Sequence, residues 1–429
     1  MTLLEPTADD LRSRFFAQLP DAARAVIDQI AAAAGLRGVY VVGGVVRDLL
    51  LDRPLVDIDL VTEGDAIDLV QRIVAGSKVT VHQRFRTASF CAGGVSIDVA
   101  TARRETYARP GALPRVEAAD IETDLRRRDF TINAMALRLD GEPQVLDPVG
   151  GIADVEGRLV RVLHARSFED DATRIFRALR YAARLGFDIE VETLRLIEGG
   201  LGFLASISGA RLRRELELML LEPSASTALE SAAACRALGA IDAALRWDEA
   251  RSAAWVRGDF SSIARLPLGF ALLTADASRE SATEVIERLR LRKDESEAVL
   301  GLASMAQVAT MLRRPDAKPS GVVVLLDRYP AAAVAAYAAT AGDQIAAQLA
   351  LRYLAEWRHV RPLLHGDELI ALGVPEGPQV HRGLQLIRAS RLDGWATDEG
   401  DERALAMRFA KSIRDSSAAP GIEQHSHGF

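Results

Sequence analysis

The sequence predicts an α+β protein, with a small mixed β-sheet in its N-terminal third and helices from there to near the C-terminus. Short β-branched and aromatic runs, separated by turn residues, fall within residues 38–100. From about residue 167 onward, apolar residues recur with helical spacing. The 429 residues are enough for roughly three domains of ~150 residues each.

The composition predicts a protein with a substantial buried core. Hydrophobic residues make up 49% of the chain. The N-terminus is acidic and lacks the basic region of a signal peptide, and no stretch reaches the ~18 apolar residues of a membrane span. Cys91 and Cys235 match no disulfide or metal spacing. We therefore expect a reducing, cytoplasmic location with no membrane association, and the sequence gives no indication of a protein partner.

In chain order, a helix over 21–34 leads into strands near 38–43, 56–61, 78–82, 87–91 and 94–100, with a helix at 64–75 between the second and third strands. Helices are then predicted at 168–185, 190–198, 210–221, 225–237, 260–275, 281–290, 293–312, 330–341, 343–357 and 383–390. The final stretch is polar and predicts disorder.

A phosphate-binding turn and two carboxylates follow the first strand, in the segment GVYVVGGVVRDLLLDRPLVDIDL (38–60). Gly44 opens a helix, where a backbone N–H can meet a phosphate, and Arg47 adds a cation, unless it pairs with Asp48 instead. Asp57 and Asp59 are one residue apart on the next strand, so both carboxylates point to the same face.

Paired carboxylates beside a phosphate-binding turn are what Mg²⁺ ions need for nucleotidyl transfer. An isolated Asp-x-Asp is more often solvated or a turn cap, and an isolated Gly-Gly is usually only a turn. Their order and spacing together predict a metal site at Asp57 and Asp59. Asp98 is a candidate third carboxylate, because a neighbouring strand can bring it to the same face; the alternative is an ordinary strand-end aspartate.

A helix with one basic face is predicted from Arg174, Arg177, Arg180 and Arg184, whose spacings are three, three and four. The default interpretation is a solvated charged face. The position of Asp171, three residues before Arg174, favours a base-reading interpretation. Its carboxylate can accept a hydrogen bond from the exocyclic amine of cytosine or adenine, while Arg174 donates to the adjacent ring nitrogen. Uracil and guanine present the opposite pattern and would leave buried polar groups unpaired.

The net charge of −7 argues against a nucleic-acid partner, but arginines cluster at 103–128 and 174–184. Such local basic patches attract polyanions even on an acidic protein. The alternative is that arginine is abundant throughout a chain with only four lysines.

Three motifs resemble one family. GGVVRD followed by DIDL, DLRRRDFTINAMAL (124–137) and DDATRIFRALRYAARLGF (170–187) are similar to motifs of class II tRNA nucleotidyltransferases (CCA-adding enzymes) and bacterial poly(A) polymerases. The last motif departs at Asp170, where Glu is usual, and at Tyr181, where Phe is usual; both changes keep the chemical character. The resemblance covers residues 36–187.

The pattern of the sequence predicts an N-terminal helical segment (1–35) and a disordered C-terminus (416–429). The resemblance implies a nucleotidyltransferase head (36–151) and a neck with the nucleotide-selecting arginine helix and an RNA-binding region (152–220). The helical character of 221–415 is consistent with a body and tail that bind tRNA. The resemblance implies addition of CCA to tRNA from CTP and ATP, with Mg²⁺ and without a nucleic-acid template. The implied catalytic residues are Asp57, Asp59 and Asp98, with the metal on the first two. The implied nucleotide-binding residues are Gly44, Arg47, Arg128, Asp171, Arg174, Arg177 and Arg180.

The Pro/Gly-punctuated segment 102–123 is predicted to be a long loop, which is uncommon unless functional. In the family such a loop is flexible and accompanies addition of the terminal A. Three alternatives stay open. The first is an A-adding enzyme or a poly(A) polymerase, although a poly(A) polymerase would be expected to carry a basic C-terminal region. The second is a non-catalytic RNA-binding protein of the same fold, and the third is a small-molecule nucleotidyltransferase, which has no use for a base-reading pair.

Overall fold

The computed structural model describes residues 7–74, 78–112, 114–256, 260, 262–312 and 317–418. The chain forms two compact units, Met1–Leu245 and Arg246–Phe429. The first contains the mixed sheet and the helices that follow it, and the second is helical wherever it has regular structure. The predicted α+β fold class is confirmed.

Two helices precede the sheet, α1 (Ala8–Ala17) and α2 (Asp21–Ala33). The sheet region then contains β1 (Val39–Val42), α3 (Gly44–Leu50), β2 (Asp57–Thr62), α4 (Ala66–Ile73), β3 (Thr80–His82), β4 (Thr87–Ala92), β5 (Val95–Thr101), β6 (Arg103–Thr106), β7 (Arg115–Ala118), α5 (Ile121–Arg126), β8 (Ala136–Arg138), β9 (Val145–Leu146) and α6 (Gly151–Glu156).

Seven of these strands form one mixed sheet in the order β3-β4-β5-β2-β1-β8-β9. Strands β2 and β5 run parallel, and the other neighbours are antiparallel. The central strand β1 is buried along its whole length, as its run of valines and tyrosine favours. In β2 the side chains of Ile58 and Leu60 are buried, whereas Asp57 and Asp59 are exposed, so the predicted alternation is confirmed.

The segment 102–123 is more ordered than predicted. Strands β6 and β7 pair as an antiparallel hairpin, from Arg103 opposite Ala118 to Thr106 opposite Arg115. Helix α5 begins directly after it, with the Asp120 side chain accepting a hydrogen bond from the Thr123 N–H. The described residues between the two strands, 107–112 and 114, lack regular pairing, because the two prolines and the glycine among them do not sustain a strand ladder.

After the sheet come β10 (Leu159–Val160), α7 (Ser167–Asp170), α8 (Thr173–Leu185), β11 (Asp188–Ile189), α9 (Val191–Gly200), α10 (Gly209–Leu221), α11 (Ala225–Ala234) and α12 (Ala237–Ile241). This region was predicted to be entirely helical. That prediction is wrong for β10 and β11, which pair as two parallel strands. The predicted helix 168–185 is interrupted: Asp171 has an extended backbone (φ −149°) and separates α7 from α8.

The second unit contains α13 (Glu249–Val256), α14 (Arg265–Leu273), α15 (Arg279–Leu289), α16 (Lys293–Ala303), α17 (Ala306–Leu312), α18 (Pro319–Leu326), α19 (Ala331–Thr340), α20 (Gln344–Ala355), α21 (Gly366–Ala371), α22 (Pro378–Leu392) and α23 (Glu399–Ala418). The predicted helix 293–312 is two helices. The predicted disorder of 416–429 is wrong for 416–418, which end α23, and 419–429 lie outside the described residues.

Among the described helices, no single one is long and apolar enough to cross a membrane. Helices α18 and α19 together reach the length and apolar composition of a membrane span. The chain bends by 114° between these two helices.

Candidate active site

Three aspartates meet on the parallel strand pair at the centre of the sheet. Asp59 and Asp98 are directly opposite each other in the register of β2 and β5, and Asp57 lies on the same face two residues before Asp59. Crowding by protein atoms raises the pKa of Asp59, and the negative charges of Asp98 and Asp57 raise it further, against the opposing effect of Arg128. The sequence prediction that these carboxylates share one face is therefore met.

The donor set fits a hard divalent cation. Carboxylate oxygens are the ligands that Mg²⁺ prefers, and it is commonly held by one or two carboxylates together with substrate phosphates. In the parts of the chain that the structure describes, no three His, Cys, Asp or Glu side chains are close enough to form a complete metal cage. Asp57 and Asp59 are therefore candidate ligands that would fill only part of the coordination sphere of such an ion.

The glycine turn before α3 brings the backbone against an arginine. Gly43 has φ +68°, and a Cβ there would lie 2.8 Å from Arg128 Nη1, so only glycine fits. The Gly43 N–H donates to the Met135 carbonyl at 3.1 Å. Arg128 also donates through Nη2 to the buried Asp124 at 3.0 Å. Arg128 is thus fixed between the glycine turn and α5, near enough to Asp59 to influence its pKa.

The structure places Arg47 in an internal network. Its Nε and Nη2 donate to Asp48 at 2.9 Å, and Nη1 donates to Asn133 Oδ1 at 2.7 Å. The side chain is 3% exposed. This is the ion-pair alternative to the predicted phosphate contact. A Cβ on Gly44 would lie 3.2 Å from Arg47 Nη2, so that glycine leaves room for the guanidinium.

A cavity of about 460 Å³ opens beside this turn, within the first unit. Its walls come from the β6–β7 hairpin, the end of α5, the α7–α8 junction and α10. The lining residues are Glu105, Tyr107, Arg127, Arg128, Asp129, Asp171, Thr173, Arg174, Arg177, Arg211, Arg214 and Glu215. The volume is typical of small-molecule sites. Of the predicted nucleotide-binding residues, the structure brings Arg128, Asp171, Arg174 and Arg177 together here.

Asp171 is held by three donors. Its Oδ1 accepts from the Thr173 N–H at 3.0 Å and from the Thr173 hydroxyl at 2.7 Å, and Oδ2 accepts from Arg211 Nη2 at 2.6 Å. Asp171 was predicted to lie within a helix, but it lies between α7 and α8 and accepts from the N–H of Thr173, the first residue of α8. A carboxylate offers about four acceptor positions, so a position for a ligand donor is left.

Arg174 lies beside it, 6% exposed. Its Nη1 donates to Ser167 Oγ at 2.8 Å, and Nη2 donates to the Arg127 carbonyl at 3.2 Å. A guanidinium has five N–H groups, so these bonds orient the group and leave donors for a ligand.

Arg177 forms an ion pair with the buried Asp129. Arg177 Nε and Nη2 donate to Asp129 Oδ2 at 2.8 and 2.5 Å. Burial alone would raise the pKa of Asp129, but the Arg177 charge and the Asn133 hydrogen bond outweigh it and lower this pKa to about 2. The pair links the segment after α5 to α8.

Arg180 and Arg184 do not reach the cavity. Arg180 is 4% exposed and pairs with Glu222 at 3.3 Å, and Arg184 pairs with the same carboxylate. Around the Tyr181 ring lie the guanidiniums of Arg47, Arg177, Arg180 and Arg184, at 5.1 to 5.8 Å from the ring centroid. The predicted single basic face is thus divided between the cavity and an internal ion-pair network, and Arg180 belongs to the network.

The sequence interpretation missed the contribution of α10 to the cavity. Arg211, Arg214 and Glu215 recur at i, i+3 and i+4, which puts them on one face. That spacing was visible in GARLRRELELMLL, but a charged helical face is most often only solvated. Arg211 also donates to the Gly111 carbonyl at 3.3 Å, which ties the hairpin tip to α10.

Comparison with known proteins agrees with this geometry. Residues 39–161 match the poly A polymerase head domain, and residues 186–241 match a probable RNA- and SrmB-binding site of polymerase A. An A-adding tRNA nucleotidyltransferase of Geobacter sulfurreducens is 34% identical, over 87% of this chain and 45% of its own. The chain thus spans less than half the length of that relative.

A CC-adding tRNA nucleotidyltransferase of Deinococcus radiodurans is 34% identical, over 92% of this chain and 95% of its own. The structure of a Thermotoga maritima CCA-adding enzyme complexed with tRNA superimposes with a TM-score of 0.75 and 27% identity, covering 94% of this chain and 98% of that one. The chain belongs to the class II tRNA nucleotidyltransferase and poly(A) polymerase family.

Proposed function

We propose that this protein adds C and A residues to the 3′ end of tRNA from CTP and ATP, without a nucleic-acid template, and completes the CCA sequence. The observation that carries the proposal is the cavity that places Asp171 and Arg174 beside Arg128, which in turn lies next to the glycine turn and influences Asp59. The residues that would select the base therefore lie beside those that would bind the phosphates.

In this proposal Asp57 and Asp59, with Asp98 beside them, hold Mg²⁺ together with the triphosphate. The ion supplies charge neutralisation on the phosphates and a lower pKa for the attacking 3′-hydroxyl. Arg128 contributes positive charge between the sheet carboxylates and the cavity, where the phosphate chain must lie. Because Asp124 and the glycine turn fix Arg128, its charge is oriented before the nucleotide binds.

Asp171 and Arg174 select the base in this proposal. The carboxylate of Asp171 accepts from the exocyclic amine of cytosine or adenine, and Arg174 donates to the ring nitrogen beside it. The Thr173 and Arg211 hydrogen bonds fix the orientation of Asp171, and those of Ser167 and Arg127 fix that of Arg174. Preorganised groups discriminate well, because a wrong base leaves them unpaired.

Addition of the terminal A alone is the second candidate, because A-adding tRNA nucleotidyltransferases of Geobacter sulfurreducens and Aquifex aeolicus are among the similar proteins. The ordered β6–β7 hairpin, which the resemblance associates with A addition, is consistent with both candidates and disfavours a C-only enzyme.

One assay separates the candidates. The protein is incubated with tRNA lacking its 3′ CCA, and separately with tRNA ending in CC, with each labelled nucleotide in turn and with CTP and ATP together. A CCA-adding enzyme extends the first tRNA with CTP and completes it once ATP is present. An A-adding enzyme extends only the tRNA ending in CC, a poly(A) polymerase makes long A tails, and a non-catalytic binder retains tRNA without extending it.

A further inference from the structure

The face of the sheet that carries the aspartates continues onto β4. Ser89 on β4 is directly opposite Asp98 on β5, and Asp98 is directly opposite Asp59 on β2. Residues that are directly opposite each other in a sheet point to the same side. The other side of these strands faces the core, where Phe90 and Ile97 are buried. Ser89 and Asp59 therefore flank Asp98 on the same face, one from each neighbouring strand.

The register of β4 and β5 brings Ser89 and Asp98 close together. The strands are joined by a pair of glycines, both with positive φ, which is the two-residue turn that fixes the register of a hairpin. Farther along, the Thr101 N–H donates to the Arg86 carbonyl at 3.0 Å, so those two residues form a hydrogen-bonded pair. Because the two kinds of pair alternate along an antiparallel ladder, Ser89 and Asp98 form a non-hydrogen-bonded pair. The Cα atoms of such a pair are about 4.5 Å apart, and its side chains are the closer ones.

The Ser89 hydroxyl is available to Asp98. Among the residues that the structure describes, none donates a hydrogen bond to the Asp98 carboxylate, and none is hydrogen-bonded to the Ser89 hydroxyl. Thr87, which lies on the same face of β4, instead uses its hydroxyl to donate to the Phe85 carbonyl at 3.2 Å. A serine side chain has a single torsion with three staggered positions, so its hydroxyl can turn toward the carboxylate beside it.

A carboxylate that holds a metal ion is usually hydrogen-bonded to a neighbouring group, which orients it and is worth ~10–100-fold in metal affinity or activity. We propose that Ser89 is a positioning residue for the divalent cation. Its hydroxyl donates to one oxygen of Asp98 and leaves the other oxygen oriented toward a cation beside Asp59. A hydroxyl has one rotatable O–H donor, which suits this role. The inference rests on the proposed function, in which these carboxylates hold the ion.

The test measures Mn²⁺ binding by electron paramagnetic resonance, without nucleotide or tRNA, in wild type, Ser89→Ala and Ser89→Thr. We expect the Kd for Mn²⁺ to rise about tenfold in Ser89→Ala. It should stay close to the wild-type value in Ser89→Thr, which keeps the hydroxyl. The Mg²⁺ concentration for half-maximal CTP incorporation should rise in parallel in Ser89→Ala. The KM for CTP at saturating Mg²⁺ should not change, because Ser89 does not line the cavity.

Thr87→Val is the matched control, because it removes a hydroxyl from the same face of β4 at a position opposite Ala100 instead of a carboxylate. It should lower the Tm slightly and leave the Mn²⁺ affinity unchanged. A double-mutant cycle isolates the contact with Asp98. In an Asp98→Ala background, Ser89→Ala should weaken Mn²⁺ binding no further, because the hydroxyl has lost its acceptor.

An unchanged Mn²⁺ affinity in Ser89→Ala overturns the inference, as does an equal loss in Thr87→Val or in Ser89→Thr. A further loss of the same size in the Asp98→Ala background also overturns it. Wild type that binds no Mn²⁺ removes the metal site and this inference with it. Wild type that binds Mn²⁺ but incorporates no nucleotide refutes the proposed function instead, while the Mn²⁺ affinities still test Ser89.

Discussion

The ion pair between the buried Asp129 and Arg177 predicts that the free energy of unfolding falls at acidic pH. Asp129 is 8% exposed and the Arg177 side chain is 33% exposed, so solvent screens the pair only in part. Its pKa falls from 3.8 to about 2 on folding. At ~1.4 kcal/mol per pKa unit, the ionised carboxylate contributes about 2 kcal/mol to the free energy of unfolding.

The direction of the pH dependence follows from the lowered pKa. A carboxylate with a depressed folded pKa stabilises the protein fully above its unfolded value of 3.8, and the contribution is lost as the pH falls toward 2. By the same relation, roughly half of it is lost at pH 3. Asp129→Asn removes the charge and leaves Arg177, whose side chain is 33% exposed, without its partner carboxylate. At neutral pH this should cost about 2 kcal/mol, the contribution that the lowered pKa of Asp129 implies.

The measurement is hydrogen exchange of the α8 amides in wild type and Asp129→Asn, at pH values from 7 to 3. The difference in opening free energy between the two proteins should be constant from pH 7 to 5 and shrink below pH 4. Glu122→Gln, which removes an exposed ion pair with Arg126 on α5, should change stability by less than ~0.5 kcal/mol at any pH. A difference as large at pH 3 as at pH 7 would refute the ion-pair reasoning.

The other predictions concern activity. Asp57→Ala or Asp59→Ala should abolish incorporation of both C and A while tRNA binding, measured by gel shift, stays nearly intact; turnover close to wild type would remove the metal assignment. Arg174→Ala should raise the use of UTP and GTP relative to CTP and ATP by about tenfold, because each base-edge contact is worth ~1–3 kcal/mol of discrimination. Competitive incorporation of all four nucleotides measures this ratio. An equal loss of activity with every nucleotide would argue that Arg174 has a phosphate-binding or structural role instead. Shortening the β6–β7 hairpin should leave tRNA ending in CC, and an equal loss of C and A addition in a folded variant would contradict that role.

Local patterns in the sequence predicted the sheet carboxylates. Strand alternation depends only on the two-residue period of an extended chain, so Asp57 and Asp59 could be assigned to one face before any tertiary structure was known. The Gly-Gly pair likewise indicated a turn after the first strand, and the structure shows that Gly43 in this turn has a φ of +68°. The parallel register that puts Asp98 opposite Asp59 was a hypothesis until strand pairing was known.

Which carboxylate each arginine of α8 pairs with could be known only from the tertiary structure. Helical spacing puts Arg174, Arg177 and Arg180 on one face, but spacing carries no information about which carboxylates approach from distant segments. Arg177 pairs with Asp129, 48 residues away, and Arg180 with Glu222, 42 residues away. The sequence by itself therefore determined the fold class and the chemistry available to the site. The packing of α10 and the hairpin against α8 decided which charges face the cavity and which neutralise each other, because burying a charge requires a partner that only the folded chain can supply.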